Sequence, residues 1–146
     1  MAAWQDYLGL LESLTRTIEE LTAVEQKKTG AVTKGDLDTV EECMKREQAL
    51  SMSLRGLEQK RSRMLTDFGL GDIPLRGLLE HCPEGTESET KRVSETLRRK
   101  YEMFRTASDV ARDTLECSLR GIERIMAARG GESLQEEPPR QADFRA

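Results

Sequence analysis

The chain has 146 residues, of which 34% are charged and only 4% aromatic, a balance that suits long helices with narrow apolar stripes and excludes a thick sheet-based core. Its net charge of -4 gives no general attraction for nucleic acid or for an anionic membrane surface. No apolar run approaches the roughly 20 residues that cross a bilayer, and the first residues lack the basic start of a signal peptide. These features predict a cytoplasmic protein that neither enters membranes nor binds nucleic acid.

The first predicted helix spans about residues 3–31. Its apolar side chains recur at alternating steps of three and four, which places them on one helix face: Trp4, Tyr7, Leu11, Leu14, Ile18 and Leu21. Leu8, Leu10 and Val24 flank this stripe, so the apolar face is wider than a single neighbouring helix requires. We therefore expect surplus apolar surface on this helix, which a partner helix could cover.

A polar break, "KGDLDTVEE" at 34–42, separates this helix from a second one over about residues 36–68. Asp36 is suited to cap the start of the second helix, because its carboxylate can accept from backbone N–H groups of the first turn. The apolar stripe keeps a heptad spacing and includes two charged members, Glu47 and Arg61, which either fix the alignment of the helices or lie in a gap open to water.

The third long helix, predicted for about residues 86–129, follows a short helix at 74–81 that has Pro74 in its first turn. Thr86 and Glu89 have the spacing of a capping box at its start. Toward its end the apolar side chains cover a broader arc than a two-helix contact needs. Core packing and partner binding explain this arc equally well, and the candidate partner-binding residues are Leu115, Leu119, Ile122, Ile125 and Met126.

Together these elements predict an all-α fold, an elongated antiparallel helical bundle of three long helices plus one short helix within residues 1–129. The first two long helices form a hairpin and the third lies along it. Residues 130–146 are polar, contain prolines and lack periodicity, so we predict a disordered tail.

Nothing in the sequence indicates catalysis or a bound cofactor. His81, beside Cys82, is the single histidine, and a zinc site would need about four converging ligands. The three cysteines form no CxxC pair, which predicts reduced, packed thiols without a metal. The basic run from Arg98 to Lys100 is flanked by Glu95 and Glu102 at spacings that allow ion pairs along the helix, as on a solvated helix face. We predict a protein that is not an enzyme.

Four features appear in a fixed order: Glu25 late in the first helix, "KGDLDTV" at the turn, "KREQAL" with Glu47 and Leu50, and "LEQKRSRMLTDFG" ending in Gly69. In their order and spacing the chain, from about Leu8 to Arg129, resembles the FlgN family of flagellar export chaperones.

This resemblance implies a helical chaperone that binds the C-terminal helical segments of hook-associated (hook-filament junction) proteins before secretion and delivers them to the export gate. The contacts with the client would fall on Leu115, Leu119, Ile122, Ile125 and Met126. An export-gate component would be a second partner, with Tyr101 as a candidate contact.

Two other readings stay open at the level of the sequence. The same apolar stripes could drive self-association, which would make the chain a structural coiled-coil protein and a homo-oligomer. A related chaperone family, which serves the filament cap protein, shares the same general layout.

Overall fold

The computed structural model describes residues 2–129, which form four helices and no strand. The helices are α1 (Ala2–Lys34), α2 (Leu37–Asp67), a short 3₁₀ helix (Leu75–His81) and α3 (Glu87–Ala128). The all-α prediction is confirmed. The predicted disordered tail, residues 130–146, lies outside the described residues.

The turn between α1 and α2 is made by two residues with distinct roles. Gly35 has a φ of 73°, in the left-handed region that glycine adopts without steric penalty, and α1 ends there. Asp36 then caps α2, because its Oδ1 accepts from the backbone N–H of Thr39 at 3.2 Å and its Oδ2 accepts from the Thr39 hydroxyl at 2.7 Å. These hydrogen bonds from Thr39 also hold the pKa of Asp36 below its ordinary value. The predicted cap is confirmed.

α1 is the central helix of the molecule. It packs against both α2 and α3, whereas no Cα atom of α2 lies within 8 Å of a Cα atom of α3. Leu8 and Leu10 are therefore buried along with the main stripe of α1. The expectation of surplus apolar surface on α1 is wrong at these positions, because the wide apolar face serves two neighbouring helices instead of one.

The hydrophobic core is concentrated at the end of the molecule where α1 begins. The segment between α2 and α3 covers this end, with Leu78 fully buried and the Phe68 ring 5.3 Å from Trp4 and 5.8 Å from Tyr7 between centroids. The indole Nε1 of Trp4 donates to the hydroxyl of Thr90 at 3.0 Å, which ties the start of α1 to the start of α3. We refer to the end of the molecule where α1 begins as the closed end.

Two local predictions between α2 and α3 are wrong. The short helix is a 3₁₀ helix that begins at Leu75, so Pro74 precedes it instead of occupying its first turn. The capping box at Thr86 does not form, because the Thr86 hydroxyl donates backward to the Pro83 carbonyl at 2.6 Å. The Glu89 carboxylate accepts instead from the Gln5 side chain at 3.0 Å, a contact with α1 that the local sequence cannot indicate.

The burial of α1 gives a direct test. Leu14 is fully buried at the centre of the stripe, so Leu14→Ala should lower the free energy of unfolding by about 2–5 kcal/mol through the lost apolar contacts and the cavity left behind. Met52 on α2 is 73% exposed, and Met52→Ala should stay within about 0.5 kcal/mol of the unsubstituted protein. Chemical denaturation followed by circular dichroism measures both, and equal losses would contradict this description of the core.

Candidate partner-binding surface

All five predicted partner-binding residues lie on the exposed last part of α3. Their exposed fractions are 38% for Leu115, 36% for Leu119, 53% for Ile122, 57% for Ile125 and 38% for Met126. The last buried residue of α3 is Ala111, and every residue after it is partly or fully exposed. Five large apolar side chains are thus presented to solvent within three helical turns.

The exposure follows from the lengths and alignment of α1 and α3. The two helices run in the same direction, since hydrogen bonds join residues 84 apart at Gln5–Glu89 and 86 apart at Trp4–Thr90. The ion pair Lys100–Glu19, at 3.0 Å, keeps a similar offset farther along. With this offset Lys34, the last residue of α1, lies level with about residues 115–120 of α3. The final turns of α3, which ends at Ala128, therefore extend past the hairpin by about 12–20 Å.

Four of the five residues continue a stripe that begins inside the molecule. The stripe recurs at steps of three and four, so all its members share one helix face: Phe104, Ser108, Ala111, Leu115, Leu119, Ile122 and Met126. Ile125 lies about 100° around the helix from Met126, at the edge of this stripe. We call Leu115, Leu119, Ile122 and Met126, with Ile125 at their edge, the α3 stripe.

The structure also contains a groove that the sequence did not indicate. It has a volume of about 720 Å³ and lies between α2 and α3, with α1 as its floor. Its lining includes Leu21 and Glu25 from α1, Met44 and Met52 from α2, and Phe104 and Ser108 from α3. Phe104 and Ser108 lie on the same helix face as the α3 stripe, and Ala111, which separates them from Leu115, is buried.

The two charges in the stripe of α2 are paired in different ways. Lys28 of α1 donates to Glu47 at 2.7 Å and lies 3.5 Å from Glu25, so three charges from two helices meet beside the groove. Arg61 lies 3.5 Å from Glu58 of its own helix. Of the two sequence alternatives, alignment of the helices therefore fits Glu47, since its partner lies across the α1–α2 contact.

Tyr101 joins α3 to α2, since its hydroxyl donates to a carboxylate oxygen of Glu58. The Tyr101 side chain is half-buried, and its hydrogen bond joins two helices of the fold. Burial, and next the hydrogen bond to Glu58, raise the pKa of Tyr101.

Burial also raises the pKa of Tyr7, against an opposing effect of Arg61. The Tyr7 hydroxyl has no hydrogen-bond partner among the residues that the structure describes.

The residues considered for a catalytic or metal-binding site do not form such a site in the described part of the chain. His81 is exposed at the end of the 3₁₀ helix, and the Cys82 thiol donates to the Leu79 carbonyl at 3.2 Å. Between residues 2 and 129, no three His, Cys, Asp or Glu side chains are grouped as metal ligands would be. In the same range, no helix is long and apolar enough to cross a bilayer.

Among residues 2–129, no helix packs against the apolar face at the end of α3, and an arrangement of this kind beside an open groove is typical of proteins that bind helical segments of other proteins. The sequence identifies the family directly, because residues 1–128 match the family model described as "FlgN protein". The chain belongs to the FlgN family of flagellar export chaperones, and the resemblance noted from its motifs is confirmed. No curated protein and no solved structure matched the chain.

The two tyrosines of the chain, Tyr7 and Tyr101, allow a test of their surroundings. Since the pKa of both is raised from 10.0, the folded protein should show less phenolate absorbance at that pH than the unfolded chain, in which both tyrosines should be half ionised. The neutral hydroxyls stabilise the fold fully below the ordinary tyrosine pKa, and this contribution is lost as the pH rises above it.

Ultraviolet titration in buffer and in denaturant measures this difference. Tyr101→Phe is the control, because it should halve the phenolate signal of the unfolded chain and leave only the Tyr7 transition in the folded protein. A phenolate that titrates near pH 10 in the folded, unsubstituted protein would contradict the described burial.

Proposed function

We propose that this chaperone binds the C-terminal helical region of hook-associated (hook-filament junction) proteins in the cytoplasm, prevents their premature association and delivers them to the export gate. The α3 stripe is the binding surface, through Leu115, Leu119, Ile122, Ile125 and Met126. The protein acts by binding and release, without a cofactor and without a catalytic step.

The observation that carries this proposal is the apolar end of α3. Its spacing matches the pattern by which one amphipathic helix recognises another, with anchors at steps of three and four. An apolar surface of this kind on a soluble domain commonly marks a site of protein contact. A secretion substrate with an exposed apolar helix also has an uncovered apolar surface, through which its copies associate with one another. Each surface therefore protects the other from water.

The size of the α3 stripe indicates how tightly a client would be held. Covering the exposed part of a large apolar side chain contributes on the order of 1 kcal/mol, so the five side chains together contribute about 5 kcal/mol. Association costs about 4–15 kcal/mol in lost translational and rotational freedom. Binding to the α3 stripe alone would thus be weak and quickly reversible, which favours release at the gate.

Replacement of two stripe residues tests the proposal. Leu119→Asp combined with Ile122→Asp places two charges in the contact, so the variant should keep its helical circular dichroism and lose at least about tenfold in affinity for the purified C-terminal segment of a hook-associated protein. Val110→Asp is the matched control, because Val110 is on the same helix, is 48% exposed against 53% for Ile122, and lies outside the α3 stripe. It should bind within about twofold of the unsubstituted protein.

Three other outcomes would contradict the proposal. Equal binding by the double variant and the control would remove the α3 stripe from the site. A stable homo-oligomer that the double variant alone dissolves would favour the structural coiled-coil protein. Binding to the filament cap protein, and not to hook-associated proteins, would favour the related chaperone class.

A further inference from the structure

The three long helices occupy three corners of a four-helix arrangement. In a square bundle each helix packs against two neighbours at about 8–10 Å and stays apart from the helix on its diagonal. Here α1 packs against α2 and α3, while no Cα of α2 comes within 8 Å of one in α3. A closed three-helix bundle would bring all three pairs into contact. The fourth corner lies between α2 and α3, opposite α1.

This corner is covered at one end of the molecule and open at the other. At the closed end, the segment from Phe68 to Thr86 passes from α2 to α3 and buries Leu78 against the core. Toward the α1–α2 turn, no described segment performs this task, and the groove of about 720 Å³ lies there. The face of α3 that lines this open length leads, past the buried Ala111, to the α3 stripe, which is the client site under the proposed function.

The walls of the groove are suited to an amphipathic helix, because apolar side chains line it together with polar ones such as Gln48, Ser51 and Arg55. Met44 and Met52 of α2 are largely exposed and line one side, and Phe104 of α3 lines the other. Unbranched methionine side chains adapt their shape to the surface that they contact, and they recur in grooves that receive helices. Leu21 lies on the floor between them. A helix seated here would contact α2, α1 and α3 at once.

Glu25 gives the floor a specific chemical feature. Its side chain is only 6% exposed, yet its nearest charged partner, Lys28, is 3.5 Å away and makes its short contact, at 2.7 Å, with Glu47 instead. Glu25 lines the groove, so its carboxylate can accept a further hydrogen bond from a group seated there. A buried carboxylate is stabilised most by a donor that reaches it, and a charged donor forms the stronger hydrogen bond.

We infer that the groove between α2 and α3 seats the amphipathic helix of the client as the fourth helix of the bundle, with a hydrogen-bond donor in its apolar stripe opposite Glu25. The client is therefore held by α2 and α1 as well as by the α3 stripe. This inference rests on the proposed function and extends its site to Met44, Met52 and Glu25.

The double variant Met44→Asp with Met52→Asp tests the groove in the full chain. Both residues are exposed on α2, so folding should be unaffected, and affinity for the purified C-terminal segment of a hook-associated protein should fall by at least about tenfold. Met103→Asp is the matched control, because Met103 is exposed on α3 and lines a separate cavity of about 610 Å³ with Gln26 and Thr29. This control should bind within about twofold of the unsubstituted chain.

The outcomes separate the two proposals. If the α2 variant binds like the control while the Leu119→Asp, Ile122→Asp variant loses the client, the groove inference is overturned and the proposed function stands. If the unsubstituted chain binds no hook-associated segment, the proposed function fails and the inference fails with it. If the α2 substitutions instead dissolve a dimer of this chain, the occupant is a second copy, which also overturns the inference.

The role of Glu25 is tested by Glu25→Gln, which keeps the size and removes the charge. We expect a loss in affinity of about fivefold, because the amide oxygen is a weaker acceptor for the client's donor. Glu20→Gln is the control, since Glu20 pairs with Arg46 on the outer surface at 2.8 Å and should leave affinity unchanged. Equal affinities of the two variants, with unchanged helicity, would remove Glu25 from recognition of the client.

Discussion

The burial of α1 on two sides is the constraint on which the rest of the structure depends. The stripe from Trp4 to Leu21, together with Leu8 and Leu10, is too wide for one neighbouring helix to cover. α2 and α3 each cover part of it, and this arrangement keeps them apart from one another. The separation creates the groove between them, and the length of α3, 42 residues against 33 in α1, carries the last part of the α3 stripe, from Ile122 onward, past the hairpin. The groove is thus a consequence of how α1 is buried, and the exposure of the α3 stripe is a consequence of the difference in helix length.

Polar contacts position the helices where apolar packing is thin. Near the middle, the Tyr101 hydroxyl reaches Glu58 and links the two helices whose backbones do not meet. Nearer the turn, Lys28 and Glu47 link α1 to α2. Such partly buried pairs contribute little net stability, since the loss of hydration offsets their attraction, but they favour one alignment of the helices over others. The alignment in turn determines which side chains line the groove.

The sequence predicted what depends on local periodicity. The stripe of α1, the cap at Asp36 and the apolar end of α3 all follow from the spacing of residues close together in the chain. The failures involve distant contacts. Glu89 accepts from Gln5 instead of forming a capping box, and the groove brings Met52 near Phe104 although 51 residues separate them in the chain. The burial of small residues such as Ala107 was not predicted either, because alanine occurs on both buried and exposed helix faces. The predicted ranges, 3–31 and 86–129, already indicate that α3 is longer than α1.

α3 is a single helix whose two halves have very different surroundings. Its first half is fastened by the contact of Thr90 with Trp4 and by the burial of Val93 and Leu97, whereas beyond Ala111 it has no buried side chain. Local opening of a helix costs little free energy where few tertiary contacts must be broken. The first half therefore opens only with the whole fold, while the last turns open and reform almost as an isolated helix would. A partner that seats on those turns must supply the order that the fold does not, and its affinity is reduced by the entropy of that ordering.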